Sequence, residues 1–220
     1  MSNKKDATKE RTSGTNKTEA QSRTEDIRIV SAKFRGKRNF KYPQIAAPRT
    51  PQEHKFNAAV LKIVRQDLAG GGNYVGYGFS ASYATSEFVS VSLWAEFCGA
   101  SCHVGITPVN YDLKAGSPIK DLAELFRPRT KYLEAIASYS VSELKKSGWD
   151  DKDEWFEKGA APKADNYGLW GLSRNGVEIT FPQYQLGPGA AGGARVVVPY
   201  SHLKEMLRQD IEWFRRLQLK

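Results

Sequence analysis

The sequence predicts an α+β fold in one domain, an antiparallel sheet packed against several helices. Three observations carry this expectation. Residues 73–113 alternate aromatic with small or hydroxylated side chains, as in Tyr74-Val75-Gly76-Tyr77-Gly78-Phe79 and Phe88-Val89-Ser90-Val91-Ser92-Leu93-Trp94. Period two over such a length is the pattern of a long antiparallel meander. Stretches following Thr50 and Thr130 place apolar residues at helical spacing. From Tyr167 to Leu203 a hairpin, a glycine-rich loop, a β-branched strand and a helix start succeed one another, so strands and helices are segregated rather than alternated.

Taken in order, residues 2–26 contain no aromatic residue and no Val, Ile, Leu or Met. They cannot bury enough surface to offset the entropy of ordering, so residues 1–26 are expected to form a disordered leader or linker ahead of a folded domain at 27–220. Ile27 to Phe34 alternates as a strand does. Thr50-Pro51-Gln52-Glu53 is a helix start, with Thr50 as cap, Pro51 in the first helical position and Glu53 completing a capping box. Phe56, Val60, Ile63 and Val64 follow on one face, and Gly70-Gly71-Gly72 ends the helix. Turns at Thr85-Ser86 and Gly99-Ala100-Ser101 divide the meander into three strands. Leu122, Leu125 and Phe126 begin a second helical region, and Thr130 is expected to cap a helix bearing Tyr132, Leu133, Ile136, Tyr139 and Leu144 that closes at Gly148. The charged segment 149–165 has Trp155-Phe156 as its apolar anchor. A last helix is expected to carry Leu203, Met206, Leu207, Ile211, Phe214 and Leu217.

The hairpin expectation rests on two apolar runs, Tyr167 to Leu172 and Val177 to Phe181, around Asn175-Gly176, whose tolerance of positive φ suits a tight turn. A loop from Pro182 to Gly193 leads to the strand Val196 to Val198, and Pro199-Tyr200-Ser201 opens a helix. This loop is not a phosphate cradle, because a strand rather than a helix N-terminus follows its glycines.

These elements, with Phe181, Tyr184, Leu186, Gly187, Pro188, Ala190, Gly192 and the segment Pro199-Tyr200-Ser201 with Leu203, resemble the C-terminal domain family of the anti-sigma factor RsiV. Tyr42-Pro43-Gln44-Ile45, then Asn110, Asp112, Leu113, Gly116, Asp121, Leu122, Leu125 and Phe126, extend the likeness upstream. Similar domains precede the catalytic domain of the peptidoglycan deacetylase PdaC. The resemblance implies a noncatalytic binding module of the cell envelope that recognises a protein, a muramidase or another cell-wall hydrolase, as receptor, inhibitor or immunity protein.

The residues themselves add three points. Cys98 and Cys102 flank the turn between two predicted strands. A disulfide there would stabilise by about 2 kcal/mol on the chain-entropy estimate, and in a reducing compartment the two would be small half-buried side chains. A metal site is disfavoured, since His103 is the only imidazole nearby. No catalytic or cofactor motif is present, and Asp112 and Asp121 read as turn and cap residues, so neither enzyme activity nor a cofactor is expected. Between Ile27 and Lys55, eight cations face one anion, a net of +7 out of the chain's +9. Arg35, Lys37, Arg38 and Lys41, with Tyr184 and Gln185 of the glycine loop, are therefore the candidate binding residues.

That charge favours an acidic muramidase or toxin over the strongly basic lysozymes. It equally suits an envelope polyanion such as teichoic acid or lipopolysaccharide. Nucleic acid is the disfavoured alternative: a sheet with Tyr74, Tyr77, Phe79 and Tyr83 beside the cations could stack bases, yet no RNA- or DNA-binding signature accompanies it. No run of about 18 apolar residues exists to span a membrane. The first residues lack the apolar core of a signal peptide, so an extracytoplasmic location expects an export segment outside this chain, with the cytoplasm as the other compartment.

Overall fold

The computed structural model describes residues 27–37, 39–70, 72–99, 101–149 and 154–210. The expected leader at 1–26, Arg38, and the helix positions Ile211, Phe214 and Leu217 lie outside the described residues.

The fold is α+β, but its strands form three antiparallel ladders instead of one sheet. The hairpin β1 (Ile29–Lys33) and β2 (Lys41–Ile45) leads into α1 (Pro51–Ala69). The meander β3 (Tyr74–Ala84), β4 (Phe88–Cys98) and β5 (Cys102–Asp112) breaks at the two predicted turns, and β6 (Ser117–Ile119) extends its far edge. Next come α2 (Tyr132–Lys146) and α3 (Glu154–Ala160), then the ladder β7 (Trp170–Leu172), β8 (Gly176–Phe181) and β9 (Ala194–Pro199), and the single turn α4 (Tyr200–Leu203).

Two cores result. One packs Phe56, Val60 and Val64 of α1 onto Tyr77, Val89, Val91, Leu93, Val109 and Tyr111 of the meander. The other gathers α2, α3 and the C-terminal ladder around Phe88, Ile136, Phe156, Trp170, Ile179, Phe181 and Val198. Each such side chain contributes about 1.5–3 kcal/mol on burial. Strand β4 serves both cores because successive side chains point to opposite faces, Phe88 one way and Val89 the other. Asn57 of α1 clamps the first core to its hairpin, with Oδ1 accepting from Ile45 N at 2.7 Å and Nδ2 donating to Ile45 O at 3.1 Å.

A buried polar pin joins the two halves. Ser90 Oγ donates to Asn110 Oδ1 (2.7 Å), Asn110 Nδ2 donates to Trp170 O (2.9 Å), and Leu172 N donates to Ser90 Oγ (3.0 Å). Gly171 lies against this cluster, where a Cβ would come within 2.7 Å of Ser90 Oγ. The segment that begins at Asn110 is thereby explained locally. Asp112 Oδ1 accepts from Lys114 N and Ala115 N, Leu113 is buried, and Gly116 turns the chain at φ +69°. Asp121 caps a 3-10 turn at Leu122–Leu125, accepting from Ala123 N.

Four expectations need correction. Glu53 does not complete a capping box on Thr50; its carboxylate reaches one residue further back, to Arg49 N at 2.6 Å, while Thr50 Oγ1 accepts from Glu53 N. Thr130 does not cap α2, because left-handed Arg129 (φ +64°) folds the chain back and Thr130 Oγ1 donates to Arg127 O. Neither Asn175 nor Gly176 has a positive φ. Ser173 Oγ instead accepts from both of their amides, and Gly176 lies in β8, where a Cβ would stand 2.1 Å from Val198 O. Its glycine serves close strand approach, not turn torsion. Finally, the last helix stops after one turn, since Arg127 N donates to Met206 O and Arg208 N to Leu125 O, and such pairing needs an extended backbone.

Candidate binding surface

The β1–β2 turn is built by backbone bonds from Phe34 N to Phe40 O, Lys37 N to Phe34 O and Phe40 N to Lys37 O, with Gly36 at φ +81°. It presents Arg35, Lys37 and Lys41 to solvent, with Lys33 directly across the ladder from Lys41. Lys33 was not among the residues picked from sequence, because only the register reveals it as the partner of Lys41. The Lys37 ammonium stands 5.4 Å from the centre of the Phe40 ring, and Phe40 stacks on Tyr77. Among the described residues no ion pair engages Lys33, Arg35, Lys37 or Lys41.

The second candidate, the Tyr184 loop, lies elsewhere. Tyr184 is 47% exposed and left-handed at φ +71°. A non-glycine residue in that conformation costs about 1–2 kcal/mol, so surrounding contacts must hold it. Its ring lies so close to Gly189 that a Cβ there would come within 2.4 Å. The other side meets His103 at 6.4 Å between ring centres, and its carbonyl accepts from Trp155 Nε1 at 2.9 Å. The Gln185 amide donates to Gly159 O and Asn166 O and so fastens the loop to the chain around α3. Gln183 Nε2 closes the loop on Gly189 O.

Sequence reasoning did not single out Trp155 as a surface residue, reading it with Phe156 as the apolar anchor of a charged segment. Phe156 is buried, whereas Trp155 is 44% exposed. The available signal was spacing, as adjacent residues on a helix point about 100° apart, so Trp155 need not share the direction of Phe156.

Cys98 and Cys102 are joined by a disulfide that closes the β4–β5 turn. Glu96 lies beside the two sulfurs, but sulfurs bonded to each other are not thiolate ligands, so no metal donor set forms there. Just inside the disulfide, Phe97 and His103 are cross-strand partners with rings 5.2 Å apart, and Phe97 meets Tyr74 edge-on at 6.0 Å. Tyr74 and Tyr77 both donate to Asp67 at the end of α1, to its carbonyl and its carboxylate respectively. Burial foremost, then the Asp67 bond, hold the Tyr77 phenol far above its ordinary pKa. Successive contacts link the basic turn to the Tyr184 loop in one chain: Lys37, Phe40, Tyr77, Asp67, Tyr74, Phe97, His103, Tyr184.

The three histidines are dispersed: His54 on α1, His103 in the aromatic band, and His202 of α4 against Tyr139. Tyr77 is buried, and Tyr74 and Phe79 pack against the first core, so these rings do not form an open platform beside the cations. No described helix is long and apolar enough to cross a membrane.

Comparison with known proteins agrees with this architecture. A solved structure of a DUF3298-family protein from Pseudomonas aeruginosa superposes with a TM-score of 0.58 at 12% identity, covering 83% of this chain and 94% of that one. Another from Bacteroides fragilis gives 0.54 at 15% identity over 88% and 96%. The peptidoglycan-N-acetylmuramic acid deacetylase PdaC of Bacillus subtilis is 26% identical over 102 residues, 46% of this chain but only 22% of that protein's length. Residues 123–201, which include α2, α3, the β7–β9 ladder and the Tyr184 loop but not the basic turn, match the sequence profile of the family described as "Protein of unknown function (DUF3298)". The chain thus has the fold of the solved DUF3298 proteins, and the part of it from residue 123 to 201 carries that family's sequence pattern.

Proposed function

We propose that this chain is a noncatalytic binding domain of the extracytoplasmic cell envelope whose ligand is a protein, an acidic muramidase or other cell-wall hydrolase that it senses, inhibits or neutralises. The observation carrying this reading is Tyr184, an exposed aromatic ring in a costly backbone conformation, fixed by Gly189, His103 and Trp155. Strain retained at an exposed ring fits a preorganised contact, because the ordering cost of binding is met in advance. Tyr and Trp in such positions are the usual energetic centres of protein interfaces. The resemblance to the RsiV C-terminal domain and the similarity to a segment of PdaC support the envelope setting.

The test is calorimetric titration of the purified domain with an acidic muramidase and, for comparison, a cationic lysozyme, at low and high salt. Capture of the acidic enzyme should persist at high salt, and Tyr184→Ala should weaken it by about 2 kcal/mol, some 30-fold, with the fold intact. Equal affinity of Tyr184→Ala and the parent chain would remove Tyr184 from the interface, and failure of any hydrolase to bind would remove the reading itself.

A further inference from the structure

We propose that the end of the β1–β2 hairpin is a binding site for a phosphodiester polymer without aromatic bases, a polyol phosphate, held between Lys33 and Lys41. This surface does not include Tyr184; it draws on the same cations that favour an acidic hydrolase, and a polyol-phosphate probe tests it without that hydrolase. Lys33 and Lys41 are direct partners in the antiparallel ladder, which sets their Cβ atoms about 5 Å apart on one face. Like charges so opposed destabilise a sheet. The ordinary remedy is an acidic neighbour, and among the described residues neither lysine has one in an ion pair. Arg35 and Lys37 continue the array around a turn fixed by three backbone hydrogen bonds, and Phe40 steadies the Lys37 ammonium from below. The hairpin thus gathers four exposed cations around one turn, with Lys33 and Lys41 opposed at a cost to its own stability.

An anion seated between Lys33 and Lys41 converts one repulsion into two attractions. A chain of anions extends the same gain to Arg35 and Lys37, and phosphate, with several acceptor oxygens, satisfies two ammonium groups at once. Bases find no counterpart here. Of the rings around the array, Phe40 is 5% exposed and Tyr77 1%, and the half-buried Phe34 and Tyr42, next to Lys33 and Lys41 in the chain, pack against the first core, so no ring stands free for the stacking that single-stranded nucleic acid needs. What remains to be recognised is the phosphate backbone.

The probe is poly(glycerol phosphate), titrated into the full chain over a range of salt. Four phosphate contacts at about 0.7 each give a slope of log K against log salt near −3, or roughly 50-fold weaker binding at about 200 mM than at about 50 mM. Lys33→Glu should raise the melting temperature, because it replaces a repulsive pair by an attractive one, while weakening binding more than about tenfold and flattening the slope by about 1 or more. Lys33→Gln, which removes the charge without adding a pair, should flatten the slope by about 0.7. An unchanged slope in Lys33→Glu, or a lowered melting temperature, would overturn the site. An oligothymidylate of equal phosphate number that bound more tightly than the polyol polymer would overturn the ligand class, and no binding of either at low salt would overturn both.

Discussion

Replacing Asn110 by Leu tests whether the segment beginning at Asn110 serves the fold and not a ligand. The side chain is nearly isosteric, so the shape survives and only the hydrogen bonds go. Trp170 O loses its Asn110 donor and the Ser90 hydroxyl loses its acceptor, both in a site where Ser90 and Asn110 are almost fully buried. A buried polar group left unpaired costs about 1–3 kcal/mol, so two cost about 4, of which the added apolar burial returns about 1. The net of about 3 kcal/mol is a large share of the 5–15 kcal/mol typical of a folded domain. It should lower the melting temperature by roughly 6–12 °C for a chain of this size. Urea unfolding of Asn110→Leu, Ser90→Ala and the double variant measures it directly. The two single losses should not add, because both act through one network, leaving a coupling on the order of 1 kcal/mol. Ser90→Ala should also expose the Leu172 amide to faster hydrogen exchange, as that N–H donates to Ser90 Oγ. Stability of Asn110→Leu within about 0.5 kcal/mol of the parent would refute the pin.

Two further outcomes follow from the same packing. Gly176→Ala should destabilise by about 2 kcal/mol or more in denaturant melts, since its Cβ would stand 2.1 Å from Val198 O and backbone must move; a change under about 0.5 kcal/mol would show that the close strand approach does not require glycine. Stability should be flat up to about pH 9 and fall above about pH 10, because burial raises the folded-state phenol pKa of Tyr77, Tyr167 and Tyr200 while the unfolded phenols ionise near 10. Raised pKa values contribute stability below the unfolded value and lose it as pH climbs, by up to about 1.4 kcal/mol per pH unit for each tyrosine. Melts from pH 7 to 11 on the parent and on Tyr200→Phe should differ in that slope; identical slopes would show that Tyr200 does not take part.

The sequence by itself determined where the three meander strands and the start of α1 lie. Alternation in residues 73–113 marked three strands with their turns, because a strand's side chains report its faces every second residue. Thr50 and Pro51 marked the start of α1 through bonds that span only a few residues. The fold class and the charge at the first hairpin were legible for the same reason: both are local or compositional. Only the tertiary structure decided what depends on partners far along the chain. Ser90 meets Leu172 across 82 residues and Asn110 meets Trp170 across 60, so neither the pin nor the division into two cores leaves a local trace. Gly176 looked like a turn residue until β9 was placed against it, and the helical spacing after Leu203 gave way once 206–208 met 125–127. Gln185 and Tyr184 were legible together as a loop tip, yet one amide is spent on Gly159 and Asn166 while the neighbouring ring stands out beside His103 and Trp155. Periodicity records which way a side chain points; what it points at is set by the packing of distant segments.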